Sequence, residues 1–330
     1  MKHFLRSYQW ESSLVVLIAL AAVWGSTISP FFVSYMNLAN SAVTFIPTAL
    51  MVLGLFPVVV LGEMDISLAS TLGLCAVVYA RMWQQGAPVI VGACVSLLVA
   101  LVCGLINGIF VSYCGLPSMA VTLGTMGIYR GIAYLVAGSA GIDGVSGDYI
   151  VLGSSWVGWV PVPIIVFAIC VVLIWLLMSK TNLGQYHYAV GSQVQAVRFA
   201  GIQVKRVKVF AYVLAAILAW LASILWVGQY MSARGDNADG TIMLVLTGVV
   251  LGGVSVFGGS GKTSGVTLSV ILLMVVQTAM SLANVPGTTQ TLVSGGILLF
   301  AVLLQNISQL GTGKRPNWLK MAKRQVQTSK

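Results

Sequence analysis

Long apolar runs separated by short polar segments fill most of this chain. The runs are continuous, whereas a membrane β-barrel shows alternating apolar and polar positions. Each run has roughly the twenty residues that a helix needs to cross a bilayer. The pattern predicts ten membrane spans, at about 13–33, 42–61, 67–84, 89–113, 117–138, 162–179, 207–229, 241–257, 264–283 and 288–307.

The first run follows the basic residues Lys2 and Arg6. A signal peptide is the alternative, but the run is long and lacks a small-residue cleavage pattern. We therefore expect the first membrane span here.

The composition agrees with a helical membrane protein. Charged residues make up 7% of the 330 residues, hydrophobic residues 58%, and mean hydropathy is +0.97. Soluble domains carry about 25% charged residues. We predict an all-α bundle in which residues 1–330 form one transmembrane domain, without a sizeable soluble domain. The scattered cysteines and two histidines indicate neither a disulfide framework nor a metal site, so we expect no metal, cofactor or catalytic residue in this chain.

The loop charges predict the orientation. Basic residues collect in the loops on the side of the N-terminus, and acidic residues collect opposite. The basic set is Lys180, Arg198, Lys205, Arg206, Lys208, Lys262 and the tail of about 308–330; the acidic set is Asp143, Asp148, Asp236 and Asp239, beside Arg81 and Arg234. Cytoplasmic loops carry the excess of Lys and Arg, so both termini are expected in the cytoplasm. A nucleic-acid partner is not expected, because no basic surface lies outside these loops.

Two carboxylates, Glu63 and Asp65, interrupt a stretch of about seventy nearly apolar residues. Charges at membrane depth are costly and are tolerated where they face a bundle interior or a cavity. The segment 62–67 is either a tight turn at the membrane surface or a break between half-helices at the solute pathway. Asp65 and Ser67 are also candidate caps for the next helix.

Further polar residues lie inside predicted spans. Asn107 interrupts the fourth run, and Thr122 and Thr125 follow Pro117 in the fifth. Such residues commonly form interhelical hydrogen bonds and, less often, line a solute site. The predicted pathway or gate residues are Glu63, Asp65, Ser67, Asn107, Thr122 and Thr125.

The loop at about 180–207 is the most polar stretch and contains a short candidate helix. Ser192 is a plausible N-cap and Gly201 a plausible stop. A short helix projecting into the cytosol predicts a protein partner, and a helix lying flat on anionic lipid is the alternative. The candidate contact residues are Gln193, Val194, Ala196, Val197, Phe199, Ala200 and Gly201.

The sequence leaves the role of one further loop open and argues against nucleotide binding at another segment. The loop at about 138–161, with Trp156 and Trp159, is either a plain connection or a docking surface for a soluble partner. The sequence GSGKT resembles the end of a phosphate-binding loop, but position 256 is Val where that motif requires Gly. We interpret the glycines around 248–265 as close helix packing and a corner between helices.

Several motifs in order resemble one family. GEMDIS, LASTLGLCA, CGLINGIFV, LPSMAVTLGT, KTNLGQYHYAVGSQVQAVRFAGI and VVLGGVSVFGGSGKTSG are similar to permease subunits of monosaccharide ABC importers. That group includes the ribose, xylose, arabinose, galactoside and autoinducer-2 importers. The chain departs from the family pattern at Glu63, Ala69 and Lys262.

The resemblance implies an inner-membrane permease that works with two cytoplasmic ATPases, a second permease chain, identical or related, and a periplasmic solute-binding protein. It implies that the region of about 193–201 is the helix that couples the permease to the ATPase, which binds the ATP. Asp65 and Ser67 would line or brace the pathway near its gate. The solute would be a monosaccharide or a sugar-like molecule of the ribose, deoxyhexose or autoinducer-2 class.

Two other function classes are alternatives to an ABC permease. An ion-coupled secondary transporter would use Asp65 and Glu63 as carriers, since they are the plausible intramembrane carboxylates. A pore or membrane scaffold is disfavoured because the chain has neither rings of charge nor a filter signature.

Overall fold

The computed structural model describes residues 9–138 and 140–311, and within this part the chain is a bundle of helices. The helices are α1 (Gln9–Ile28), α2 (Tyr35–Val60), α3 (Leu68–Gln84), α4 (Val89–Ser112), α5 (Ser118–Ala137), α6 (Val151–Ser154), α7 (Val162–Lys180), α8 (Asn182–Ser192), α9 (Val194–Phe199), α10 (Val204–Tyr230), α11 (Ile242–Leu251), α12 (Thr263–Leu282) and α13 (Gly287–Gly311). A 3-10 turn covers Gly147–Ile150.

Two small antiparallel ladders interrupt this helical pattern. Strand β1 (Ile142–Asp143) pairs with β4 (Ser232–Ala233), and β2 (Trp156–Val157) pairs with β3 (Val160–Pro161). The first ladder joins the loop after α5 to the loop after α10, so two distant connections are tied together at one end of the bundle.

A helix overlaps each of the ten predicted apolar runs. Within the described residues, seven helices are long and apolar enough to cross a membrane, namely Trp10–Ile28, Tyr35–Val60, Val89–Ser112, Ser118–Ala137, Val162–Lys180, Val204–Tyr230 and Thr263–Leu282. Multiple membrane-spanning helices therefore form the body of the protein.

Helix α2 lies at the centre. Every residue from Phe45 to Val60 is buried, and α2 packs against α7, α10, α11 and α12. A helix that is apolar on all sides is stable only when other helices cover all of its sides. The second apolar run therefore becomes the core around which the other helices pack.

Helix α10 connects the two halves of the bundle by packing against α2, α3 and α4. Its contact with α4 depends on small residues. A side chain at Gly104 would place its Cβ atom 2.8 Å from the Val213 Cα atom and 2.9 Å from the Tyr212 carbonyl oxygen. Glycine here lets the two backbones approach closely.

Helix α1 packs along α12 and is fastened at one end by polar contacts. The indole Nε1 of Trp10 donates to the Leu251 carbonyl at 2.9 Å, and Glu11 Oε1 lies 2.8 Å from Lys262 Nζ. The first apolar run thus forms an integral helix of the bundle.

The bundle has two chemically different ends. The basic end carries α8, α9 and the loop 252–262, together with Lys180, Arg198, Lys205, Arg206, Lys208 and Lys262. The acidic end carries the strands and the loops with Asp143, Asp148, Asp236 and Asp239. At the acidic end Arg130 donates through Nη1 to the carbonyls of Gly235 and Asn237, at 2.8 and 2.7 Å.

Several predicted boundaries were wrong. The run predicted at 241–257 is helical only to Leu251, because Gly252 and Gly253, the latter with φ of +81°, turn the chain into a loop. Ser192 does not cap the short helix: it is the last residue of α8, and Gln193 occupies the N-cap position of α9. Most of the predicted tail lies outside the described residues.

We predict that Gly104→Leu destabilises the purified chain by about 1–3 kcal/mol, the usual cost of overpacking a close contact. Unfolding in detergent, followed by circular dichroism against temperature, measures this effect. Gly127→Leu is the matched control, since no atom lies within 4 Å of a Cβ atom placed at that helical glycine. Equal losses of stability in the two variants would contradict the close packing of α4 on α10.

Candidate functional site

The segment Leu61–Ser67 joins α2 to α3 as a non-helical loop in which Leu61, Asp65 and Ser67 are buried. Helix α2 stops at Gly62, which has φ of +76°. The amides of Gly62 and Glu63 donate back to the carbonyls of Val59 and Val58, at 2.9 and 3.3 Å. This is a Schellman-type helix end, and glycine suits its left-handed position.

Asp65 and Ser67 lie inside the protein, with 2% and 0% of their surfaces exposed. Asp65 Oδ1 accepts from the Ser67 amide at 2.9 Å and from the Ser67 hydroxyl at 2.6 Å. Ser67 Oγ in turn accepts from Asn107 Nδ2 at 2.8 Å. A buried polar group without partners is costly, so these bonds make the loop stable within the bundle.

Tyr129 extends this network into α5. Its hydroxyl donates to the Cys103 carbonyl at 3.0 Å and lies 3.4 Å from Asn107 Oδ1. Donors therefore point in one direction, from Asn107 through Ser67 to the Asp65 carboxylate. We call Asp65, Ser67, Asn107 and Tyr129 the loop network.

The predicted capping role is wrong in detail. Ser67 occupies the N-cap position of α3, but its side chain makes no capping bond, because its hydroxyl donates to Asp65. Asp65 instead accepts from the amide of Ser67 itself. Thr71, one turn into α3, donates to the Ser67 carbonyl at 3.1 Å.

The predicted threonines lie beside the loop network, on the same helix as Tyr129. Thr122 and Thr125 are buried on the face of α5 that also holds Ser118 and Tyr129. Their hydroxyls donate to the carbonyls of Ser118 and Thr122 in the same helix. Ser118 links α5 directly to the loop 61–67, since its hydroxyl accepts from the Met64 amide at 3.3 Å.

Glu63 points away from the loop network and pairs with Lys208 of α10. The two side chains are 15% and 18% exposed, so the pair is largely shielded from solvent. Next to it, the Tyr212 hydroxyl donates to the Met64 carbonyl at 3.2 Å. Helix α10 therefore binds both a charged side chain of the loop, Glu63, and a backbone carbonyl, that of Met64.

The last carbonyl of α2 makes the contact that links this loop to the basic end. Val60 O accepts from the Gly259 amide at 2.8 Å. A Cβ atom at Gly191 would collide with Val60 O and lie 2.5 Å from Gly259 N. Helix α8, the loop 252–262 and the end of α2 therefore meet in backbone contact, and we call this meeting point the Val60 junction.

Two aromatic side chains of α8 are uncharged at neutral pH. The Tyr188 hydroxyl donates to the Gly261 carbonyl at 3.0 Å, and burial raises the pKa of Tyr188 to about 12. His187 Nδ1 lies 2.7 Å from the Leu183 carbonyl, and burial lowers the pKa of His187. Helix α8 thus attaches to the bundle through packing and the neutral hydrogen bond of Tyr188, whereas the His187 contact lies within α8 itself.

Helix α9 follows α8 and displays part of its surface. Gly201, with φ of +78°, ends it as predicted, and the amides of Gly201 and Ile202 donate to the carbonyls of Arg198 and Val197. Val197 is 7% exposed and faces the core, whereas Phe199 is 93% exposed.

The structure divides the predicted contact residues into two groups. Val194 and Val197 pack towards the bundle, whereas the others face outwards, namely Gln193, Ala196, Phe199, Ala200 and Gly201.

Analysis of the sequence did not identify Tyr129, Ser118, Lys208, Tyr212 or the glycine of the Val60 junction, Gly191. By sequence Lys208 is one of several basic loop residues, and Tyr129 and Tyr212 resemble ordinary residues of apolar spans. Their partners lie at least twenty-two positions away along the chain. A stronger signal exists for Ser118 and Gly191, since both lie in motifs that carry the family resemblance.

We predict that Glu63→Gln lowers the stability of the purified chain by about 1–3 kcal/mol, because it leaves the Lys208 ammonium without its acceptor. The double variant Glu63→Gln/Lys208→Gln should regain much of that loss, since neither charge then remains. Thermal unfolding in detergent measures both effects.

Arg234→Gln serves as the control for this pair. It removes one partner of the Arg234–Asp236 pair, whose side chains are 54% and 45% exposed, and exposed pairs contribute about 0–1 kcal/mol. A Glu63→Gln effect no larger than that of the control would rule out the shielded pair.

Comparison with known proteins places the chain in a family. A family model described as "Branched-chain amino acid transport system / permease component" matches residues 37–302. Proteins named "Autoinducer 2 import system permease protein LsrD" are similar over nearly the whole chain. The one from Salmonella paratyphi A is 32% identical over 312 residues, which cover 92% of this chain and 93% of that protein. The one from Yersinia pseudotuberculosis serotype O:3 is 31% identical over 309 residues, with the same coverage.

No solved structure was found to match the chain. The family match covers both the buried loop and the helices α8 and α9, and it agrees with the resemblance seen in the motifs. It favours the permease interpretation over the ion-coupled transporter. This chain therefore belongs to the family of branched-chain amino acid-type transport permeases, and it is a multi-pass permease component of an ABC importer of the bacterial inner membrane.

Proposed function

We propose that this chain carries a sugar-like solute of the autoinducer-2, ribose or deoxyhexose class across the inner membrane. Separate ATPase subunits drive the transport, and a periplasmic binding protein delivers the solute. Residues 1–330 form a single domain of ten spans. The basic end faces the cytoplasm, in keeping with the positive-inside rule, so both termini are cytoplasmic.

The Val60 junction is the observation that carries this proposal. An importer must pass a movement of the ATPase to the solute pathway. Here α8, which leads directly into α9, is in backbone contact with the end of α2, immediately before the loop with Glu63 and Asp65. Packed backbone has no soft side chain to absorb a displacement. A shift of α9 is therefore passed through α8 to this loop.

The surface of α9 favours a protein partner over a lipid surface. A helix lying on lipid directs its apolar residues to one side. In α9, Val197 faces the core and Phe199 lies on the opposite side, among Gln195, Ala196 and Arg198. One exposed aromatic residue surrounded by polar and small residues suits insertion into a pocket of the ATPase, since interface anchors are often aromatic.

In this proposal the loop network braces the cytoplasmic gate. Asp65 acts as a hydrogen-bond acceptor for Ser67, and Asn107 ties the loop to α4. Glu63, paired with Lys208, holds the other side of the loop to α10. Thr122 and Thr125 form the wall of α5 beside it. A second permease chain, identical or related, completes the pathway.

We expect Phe199→Ala to weaken the association of permease and ATPase by about 10- to 100-fold, because burying a phenylalanine contributes roughly 1.5–3 kcal/mol. Binding of the purified ATPase to the permease in nanodiscs measures this directly. Phe31→Ala is the matched control, since Phe31 is also highly exposed but lies near the acidic end.

Ala200→Trp should assemble less well and uncouple ATP hydrolysis from uptake in proteoliposomes that contain the whole importer. Normal assembly and uptake with both Phe199→Ala and Ala200→Trp would refute α9 as the coupling helix.

Asp65→Asn should keep a large part of ATP-driven uptake, because an amide oxygen can still accept from Ser67. Asp65→Ala should lose more, since two buried donors are left unpaired at a cost of about 1–3 kcal/mol each. Asn107→Leu should resemble Asp65→Ala. Uptake measured in proteoliposomes distinguishes these roles, and full loss in Asp65→Asn would instead indicate that the charge itself is required.

A further inference from the structure

The outer half of α2, towards the acidic end, carries a polar stripe that the proposed gate does not use. Asn37, Asn40, Ser41 and Thr44 follow one another at helical spacing and therefore share one face. Thr48 continues the stripe inwards but is buried, and the residues beyond it are covered by neighbouring helices. The central helix thus has a sealed inner half and a polar outer half.

Two cavities meet along this stripe, and both are lined by Asn40 and Thr44. The first has a volume of about 320 Å³ and extends to Gln229 and Trp156. The second has a volume of about 310 Å³ and extends to polar residues of α12, namely Gln277, Thr278 and Ser281. Because they share two residues, the cavities form one cleft around α2, which we call the α2 cleft.

The described side chains that line the α2 cleft carry no charge. Ten of them carry an amide or a hydroxyl, groups that offer donors and acceptors together. The hydroxyls of a polyhydroxylated solute can form hydrogen bonds with these lining groups. The ammonium and carboxylate of a free amino acid would lose water there without meeting an opposite charge, which is unfavourable.

Gln229 adds an unused acceptor to the cleft. Its Nε2 donates to the Thr44 hydroxyl at 2.8 Å. Within the part of the chain that is described, its Oε1 is buried and has no hydrogen-bond partner. A buried acceptor without a donor is destabilising, and a turn of this amide towards the cleft would let a solute hydroxyl supply that donor.

We propose that the α2 cleft is the outer entry site of the pathway and binds the uncharged, polyhydroxylated solute before it crosses. Asn40, Thr44, Gln229 and Gln277 make the hydrogen bonds. This inference rests on the proposed function, because it takes the acidic end as periplasmic. It adds a site and a solute chemistry that distinguish a sugar-like cargo from an amino acid.

Site-directed labelling tests the cleft without the ATPase. The full chain in proteoliposomes receives Thr44→Cys, with the exposed Cys94 and Cys114 changed to Ser. A polar maleimide should label this variant, and ribose or autoinducer-2 should slow the labelling in proportion to concentration, whereas leucine should not. Protection by leucine alone, or by none of the three, would overturn the proposed site.

Thr44→Val and Gln229→Leu should each reduce ATP-driven uptake of ribose or autoinducer-2 by about two- to tenfold in the complete importer, the loss expected for one hydrogen bond. The matched control is Thr267→Val. Thr44 and Thr267 each donate to the carbonyl four positions earlier, those of Asn40 and Thr263, but Thr267 does not line the cleft.

The two proposals can fail separately. If the unaltered importer shows no ATP-driven uptake of ribose or autoinducer-2, the proposed function is wrong. The cleft proposal would be wrong, and the proposed function unaffected, if the unaltered importer takes up the solute but Thr44→Val and Gln229→Leu lower uptake no more than Thr267→Val does. A loss confined to the two cleft variants supports the site.

Discussion

The carbonyl of Val60 has no partner within its own helix, as is true of the last carbonyls of any helix. Val60 is fully buried, so this carbonyl must be satisfied by protein. Here the Gly259 amide supplies the bond at 2.8 Å, and the approach requires that Gly191 carry no side chain. One backbone hydrogen bond thereby determines how three segments of the basic end fit together.

The same constraint explains the buried loop. Leaving the helix at Gly62 exposes backbone and side-chain polar groups inside an apolar bundle, and each of the surrounding helices contributes a partner. Asn107 comes from α4, Ser118 from α5 and Tyr212 from α10. The loop is therefore held by hydrogen bonds from several directions, which suits a gate that must have defined positions. Helix α8, which leads into the proposed coupling helix, contacts the end of α2 immediately before this loop.

Helix α2 makes the two ends of the bundle different, because one half of it is sealed and the other is polar. Buried apolar side chains pack closely along the inner half, whereas the outer half borders cavities lined by amides and hydroxyls. In the proposed function the solute enters at the polar half and is stopped by the packed half until the helices around α2 move.

The sequence by itself determined the helices and the chemistry of the loops. Apolar runs of sufficient length specify helices in a membrane, so ten runs predicted ten helical segments, and Gly201 ended α9 as expected because a left-handed position favours glycine. It also determined the family, through motifs whose order is specific. These features depend on residues close together along the chain, where spacing alone carries the information.

Only the tertiary structure decided which polar groups meet. Asn107 and Ser67 are 40 positions apart, Lys208 and Glu63 are 145 apart, and Gln229 and Thr44 are 185 apart. It separated Glu63 from Asp65 although two positions divide them, and it placed Val197 and Phe199 on opposite sides of one short helix. Local patterns specify the length and the apolar faces of a helix, but the partner of each buried polar group depends on how the helices pack around α2.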